Sequence, residues 1–299
     1  MSGPVVILGQ GAWGAALGHS LTGAGAEVRF WRRDTGAAVL QGTDLVLSAV
    51  PAQATRAVLG ALAPHLLAHV PIVLTAKGLE RGTLALQSQI AEAAAPGHPV
   101  GVLTGPSFAD DLTKGLPTAV TLAVADQALG DALQRRLATP SLRPYLTDDV
   151  TGAQIGGAVK NVIAIACGAA IGAGLGDSAR AALMTRGFAE MVRIGTALGG
   201  RAETLGGLSG LGDLALTSTS PSSRNFRFGE ALGRGVTPAD LAADRTTYEG
   251  AATARPLADL AAAKGVDMPV ATAVAALVEG GLDVPSAVTQ LFNRPLKRE

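Results

Sequence analysis

The spacing of hydrophobic positions changes rhythm near the middle of the chain. In the first half, short β-rich apolar runs recur at Val5–Leu8, Glu27–Trp31, Leu45–Val50, Ile72–Ala76, Val100–Thr104, Ala119–Ala125 and Leu142–Leu146. Between most of them lie amphipathic or Ala-rich stretches such as Gln53–Ala63, Leu84–Ala94 and Gln127–Ala138. This alternation predicts a parallel sheet covered by helices on both faces. After Thr147 the strand signal stops. Helix follows helix, punctuated at Gly176, Gly199, Gly233, Gly265 and Pro285. The expected fold is α/β: a doubly wound N-terminal domain over residues 1–148, then an all-helical C-terminal domain over 149–299. The closing RPLKRE reads as a solvated basic tail.

Composition narrows the class. Nearly half of the 299 residues are apolar, enough for a sizeable core. Lysine plus arginine total 24 and so do aspartate plus glutamate, so no global field draws nucleic acid or a membrane surface. The lone Cys167 excludes a disulfide framework and a thiolate metal site, and suits a reducing cytoplasm. The start MSGPVVILGQG lacks the basic region and cleavage pattern of a signal peptide. The oily run Val162–Leu175 falls short of the ~20 residues of a membrane span, and reads as a core helix. Gly- and Ala-rich helices are compatible with a homodimer.

The first strand runs into GQGAWG and then a helix expected over Ala15–Leu21. Gly9, Gly11 and Gly14 fit G-x-G-x-x-G in the context that gives the pattern meaning. Gly9 permits the tight turn, Gly11 the approach of a pyrophosphate, and Gly14 close packing of helix on strand. The second strand ends in WRRD, where Arg32 and Arg33 precede the late acid Asp34. Two guanidiniums suit a 2′-phosphate, so the expected cofactor is NADPH or NADH with NADPH favoured, although one arginine could instead stack on adenine.

A nicotinamide enzyme also needs a proton donor. All four histidines lie in the first half, and His65 with His69, spaced i, i+4, lack a third ligand and read as structural. Lysine is next. Lys160 stands in GGAVKNVIAIACG, sharing its helical stripe with Ile163, Ala164 and Cys167. Burial would lower its pKa toward neutrality, which suits proton transfer, and a nearby acid would restore its charge. Lys77 follows a strand's carboxyl end, where doubly wound sheets bind ligands. Asp213 lies on the glycine-rich GLSGLGDL. Ser223, Arg224, Asn225 and Arg227 cluster in SRNFRFG, which fits either a phosphate grip or a solvated loop. Arg186 and Glu190, also spaced i, i+4, read as a surface pair.

The stretches GQGAWG, TAKGLE, GPSFADDL with GLPTA, GGAVKNVIAI, ARAALMTRGFAEM, SGLGDL and SRNFRFG occur in an order that resembles the bacterial NAD(P)-dependent glycerol-3-phosphate dehydrogenase family. The resemblance covers nearly the whole chain. It implies a Rossmann-like N-terminal domain and reversible reduction of dihydroxyacetone phosphate to sn-glycerol 3-phosphate for phospholipid synthesis. It makes Lys160 the proton acceptor of the oxidation. It places Lys77, Gly105, Ser107, Asp213, Ser223, Arg224 and Asn225 at substrate positions. Trp13, Arg33, Ala109, Arg224 and Glu249, with Lys77, match cofactor positions beside the glycine loop and Arg32. Two places depart from the family: Arg32–Asp44 is shorter than usual near the adenosine end, and YEGAAT often carries another polar residue after its glycine. No metal and no nucleic-acid partner are expected.

Rival readings are the related two-part dehydrogenases of 6-phosphogluconate, hydroxyisobutyrate and UDP-glucose, ketopantoate reductase, and a dinucleotide sensor that has lost catalysis. The UDP-glucose version needs a nucleophilic cysteine, and Cys167 lacks a basic neighbour in sequence. A sensor would be expected to have eroded Lys160, Lys77 or Asp213.

Overall fold

The computed structural model describes residues 3–243 and 246–295. The first half alternates β1 (Val5–Leu8), α1 (Ala12–Gly23), β2 (Val28–Trp31), β3 (Leu45–Ser48), α2 (Thr55–Leu62), β4 (Ile72–Leu74), α3 (Gln87–Ala94), β5 (Val100–Thr104), α4 (Ala109–Thr113), β6 (Thr118–Val124), α5 (Gln127–Leu137) and β7 (Leu142–Thr147). The sheet order is β2-β1-β3-β4-β5-β6-β7. Strand side chains alternate between two cores: Val5, Ile7, Leu45 and Leu47 pack with α1 and α5, while Val6, Leu8 and Val46 pack with α2 and α3.

One expectation fails. The sheet is not wholly parallel, because β5 and β6 run antiparallel, Thr104 opposite Thr121. The five residues of α4 span about 7 Å at helical rise, whereas β5 runs about 17 Å. The helix cannot carry the chain back along the sheet, so β6 starts at the end where β5 stops. Two boundaries also move. Leu84 has φ 61°, a left-handed conformation outside the helix, and α3 begins at Gln87. Conversely, α1 starts at Ala12, directly on the glycine loop. The short Arg32–Asp44 crossover holds only a single 3-10 turn, Ala37–Leu40.

Among the described residues every element after β7 is helical: α6 (Val150–Gly172), α7 (Gly176–Ala197), α8 (Ala202–Gly206), a π-turn (Leu208–Gly212), α9 (Asp213–Thr219), α10 (Arg224–Gly233), α11 (Pro238–Ala243), α12 (Glu249–Ala263), α13 (Pro269–Val278) and α14 (Val284–Phe292). The axis of this half is α6, started by the Asp149 carboxylate accepting from the Gly152 N–H at 2.7 Å. At 23 residues it is longer than the sequence suggested and apolar enough to span a bilayer, but its neighbours bury it on all sides. Arg294, at the start of the basic tail, pairs with Asp267 at 2.6 Å, and residues 296–299 of that tail lie outside the described residues.

The Arg186–Glu190 reading needs correction on its acid. Glu190 is buried, not a surface group. Its carboxylate accepts from the Val270 and Ala271 N–H groups at 2.7 and 3.0 Å, capping α13 from α7. Burial pushes its pKa up to about 7, against the pull of those two donors.

Candidate active site

The glycine loop closes on itself. Gly9 adopts φ 96°, and a Cβ on Gly14 would collide with the Gly9 carbonyl. Nothing lies within 4 Å of where a Cβ on Gly11 would project. Gly11 also caps α1 without a side-chain oxygen, so the first-turn N–H groups carry no side-chain cap, the arrangement that binds a pyrophosphate. Trp13 and Ala109 sit half-buried against the α1 and α4 side of the core. Beyond β2, Arg32 turns its Nε toward Asp34 at 3.4 Å, and both are exposed. Arg33 is exposed too and makes no ion pair among the described residues.

Beyond β4 and β5, four separated stretches bring charges together. Asp213, at the start of α9 and 1% exposed, receives two lysines. Lys160 Nζ lies 2.9 Å from Oδ1 and Lys77 Nζ donates to Oδ2 at 2.6 Å. Lys77 also donates to the Gly105 carbonyl at 3.0 Å, which accepts from Ser107 Oγ at 3.1 Å as well. Lys160 donates to Thr217 Oγ1 at 2.8 Å, and that hydroxyl donates in turn to Asp213 at 3.2 Å. So the lysine stranded on an oily helix is answered by a carboxylate from an element more than fifty residues away.

Burial pushes Lys160 down to about 8; Asp213 pulls it up and Lys77 pushes it further down. For Asp213, burial pushes the carboxyl up, but the two lysines outweigh it and hold the pKa below the ordinary carboxylate value. Glu249, at the start of α12, has its pKa raised by burial against the charge of Lys77 and a hydrogen bond from the Lys77 N–H. Lys77, Lys160 and Arg224 thus set three positive charges against Asp213 and Glu249, a balance that favours an anionic ligand.

Ser223 caps α10, accepting from the Phe226 N–H at 3.2 Å. Arg224 follows at the helix's first position, exposed and without a hydrogen-bond partner among the described residues. Asn225 follows at the second position of α10. Its amide is buried, donating to Asn161 Oδ1 at 2.8 Å and accepting from the Gly250 N–H at 3.0 Å, so it braces α10 against α6 and α12. Arg227 donates to the Pro221 carbonyl and shapes the loop. Asn161 also reaches the Lys77 carbonyl at 3.3 Å. Thr217 and Asn161 were missed as site residues. The i, i+4 spacing of Asp213 and Thr217 was a usable signal for the first; Asn161, next to Lys160, carried none by itself. Burial raises the Cys167 thiol to about 11, so it offers no nucleophile. Among the described residues no three His, Cys, Asp or Glu converge as a metal site.

The description NAD-dependent glycerol-3-phosphate dehydrogenase C-terminus matches residues 149–289, and its N-terminal counterpart matches residues 36–130. The chain belongs to the NAD-dependent glycerol-3-phosphate dehydrogenase family. Members are NAD(P)-dependent oxidoreductases, and this chain is one. It is 50% identical to a glycerol-3-phosphate dehydrogenase [NAD(P)+] of Methylobacterium radiotolerans over 99% of this chain and 98% of the relative. It is 53% identical to the enzyme of that name from Cereibacter sphaeroides, over 98% and 99%. A crystal structure of glycerol-3-phosphate dehydrogenase from Coxiella burnetii superposes with a TM-score of 0.93 at 35% identity, covering 98% of this chain and 99% of that one.

Proposed function

We propose that this chain catalyses the reversible NAD(P)H-dependent reduction of dihydroxyacetone phosphate to sn-glycerol 3-phosphate, feeding glycerophospholipid synthesis, with Lys160 as its acid and base. The observation that carries the reading is the Lys77–Asp213–Lys160 cluster, with the exposed Arg224 close enough to act on Glu249. The nicotinamide, when bound, supplies the hydride that reaches C2. Residues 1–148 hold the cofactor. The α1 N-terminus takes the pyrophosphate and Arg33 a 2′-phosphate, which favours NADPH over NADH; Arg32 is already partly offset by Asp34.

Residues 149–299 hold the substrate and the proton. Arg224 grips the phosphate, and Lys77 with Ser107 lines the approach to C2. Lys160, with a pKa near 8, is mostly protonated at pH 7 and gives its proton to the C2 oxygen during reduction. Asp213 keeps the ammonium charged and aimed, and Thr217 fixes its direction. In the oxidation the neutral lysine takes the proton back. The single buried Cys167 supports a reducing, cytoplasmic setting.

The test is loss of reduced-nicotinamide absorbance with dihydroxyacetone phosphate, run with NADPH and with NADH. Turnover with the phosphorylated ketone, faster with NADPH, is expected. Binding of NADPH without turnover would overturn the reading in favour of a dinucleotide sensor.

A further inference from the structure

Two adjacent glycines lie one helical turn below Lys160, on the patch its side chain covers as it points back toward the start of α6. Each faces the partner of a different charge. A Cβ on Gly156 would lie 2.5 Å from the Ser209 carbonyl and 2.9 Å from the Gly210 Cα, in the π-turn that leads directly into Asp213. A Cβ on Gly157 would lie 2.7 Å from Thr104 Oγ1 and 3.4 Å from the Lys77 Cγ. The bare backbone of α6 is therefore what admits both neighbours.

We propose that Gly156 and Gly157 are positioning residues for proton transfer: Gly156 sets how closely Asp213 approaches Lys160, and Gly157 sets how closely Lys77 does. This rests on the reading of Lys160 as the acid and base. A methyl at 156 pushes the π-turn outward and carries the carboxylate away from the ammonium. A methyl at 157 only touches the stem of Lys77 but collides with Thr104, and by displacing Thr104 it shifts the adjacent Gly105 carbonyl that holds the Lys77 ammonium, carrying that positive charge away. The two displacements act on the Lys160 proton with opposite sign, since Asp213 favours its retention and Lys77 its release; Glu249 of α12 also favours retention and is met by neither methyl.

The experiment is the pH profile of kcat/KM for ketone reduction in wild type, Gly156→Ala, Gly157→Ala and Lys160→Ala, with a thermal melt of each to check folding. In wild type the rate should fall as pH rises through about 8. In Gly156→Ala that fall should move to lower pH, and in Gly157→Ala to higher pH with a raised KM. General loosening of α6 would move both the same way. A shift in the same direction, or kcat losses with the limb unmoved, overturns the proposal. Gly156 meets backbone atoms, so its variant can fail to fold; Gly157 meets only side chains, and its upward shift or lack of one then decides. If Lys160→Ala keeps near-normal turnover, the acid–base reading fails. If it loses turnover while the glycine variants keep the wild-type limb, only the positioning proposal fails.

Discussion

The glycine loop follows β1 and the buried charge cluster gathers beyond β4 and β5, and the two are built in opposite ways. Gly9 to Gly14 is contiguous and presents mostly backbone, with its shape set by one strand, one turn and one helix start. The cluster draws Lys77, Lys160 and the α9 pair Asp213 and Thr217 from separate stretches and works through side chains, with the Gly105 carbonyl as a backbone acceptor. A site made of backbone donors tolerates change in its side chains and fails when a Cβ intrudes. A site made of buried charges fails when any one charge loses its counterpart, because an unpaired buried ion costs ~3–5 kcal/mol.

The sharpest way to break this contrast is at Lys160. Lys160→Ala should lower kcat by about 10²–10⁴-fold while leaving NADPH affinity unchanged, measured by steady-state kinetics and by fluorescence titration. Comparable loss of cofactor binding would mean that the two regions are not separable. Next comes Arg224→Ala, which removes a charge-assisted contact of ~1.5–3 kcal/mol. Its kcat/KM for dihydroxyacetone phosphate should fall about 10–100-fold, with turnover of phosphate-free dihydroxyacetone unaltered. Equal losses on both substrates would take the phosphate away from this arginine.

On the cofactor side, Arg33→Ala should raise the KM for NADPH roughly tenfold and spare NADH, since about 1.4 kcal/mol is a factor of ten. Parallel losses would assign Arg33 to stacking on adenine. The smallest expected effect concerns Glu190, a buried ionisable group in the helical half that takes no part in the chemistry. Its folded pKa of about 7 lies above the ordinary glutamate value, so its contribution to stability is complete below about 4.5 and is lost as pH rises through 7. The melting temperature of wild type should drop between pH 5 and pH 8, and Glu190→Gln should flatten that drop. An unchanged slope in the variant would locate the pH dependence elsewhere.

Local rules reached some parts of the molecule and not others. The strands of the first half were legible because each is a short apolar run whose period needs no partner to be seen. The antiparallel β5–β6 junction was not, because strand direction depends on where α4 lets the chain turn. Within the site, Lys160 stood out as a charge on an oily stripe, but its partner Asp213 lies in a different helix. Glu190 was misread because helical spacing says which residues are neighbours on one helix, and its real partners belong to α13.

By itself the sequence determined the two-part architecture, the dinucleotide loop and the identity of the charged candidates. Each is encoded within a few turns of chain, where covalent spacing fixes geometry. Only the tertiary structure decided that Asp213 lies between two lysines, that Asn225 braces three helices, and that Arg224 stands exposed within electrostatic reach of Glu249. Those outcomes depend on distances between segments far apart in sequence, and such distances are set by how close the backbones can pack, as they do where α6 carries no side chains at Gly156 and Gly157.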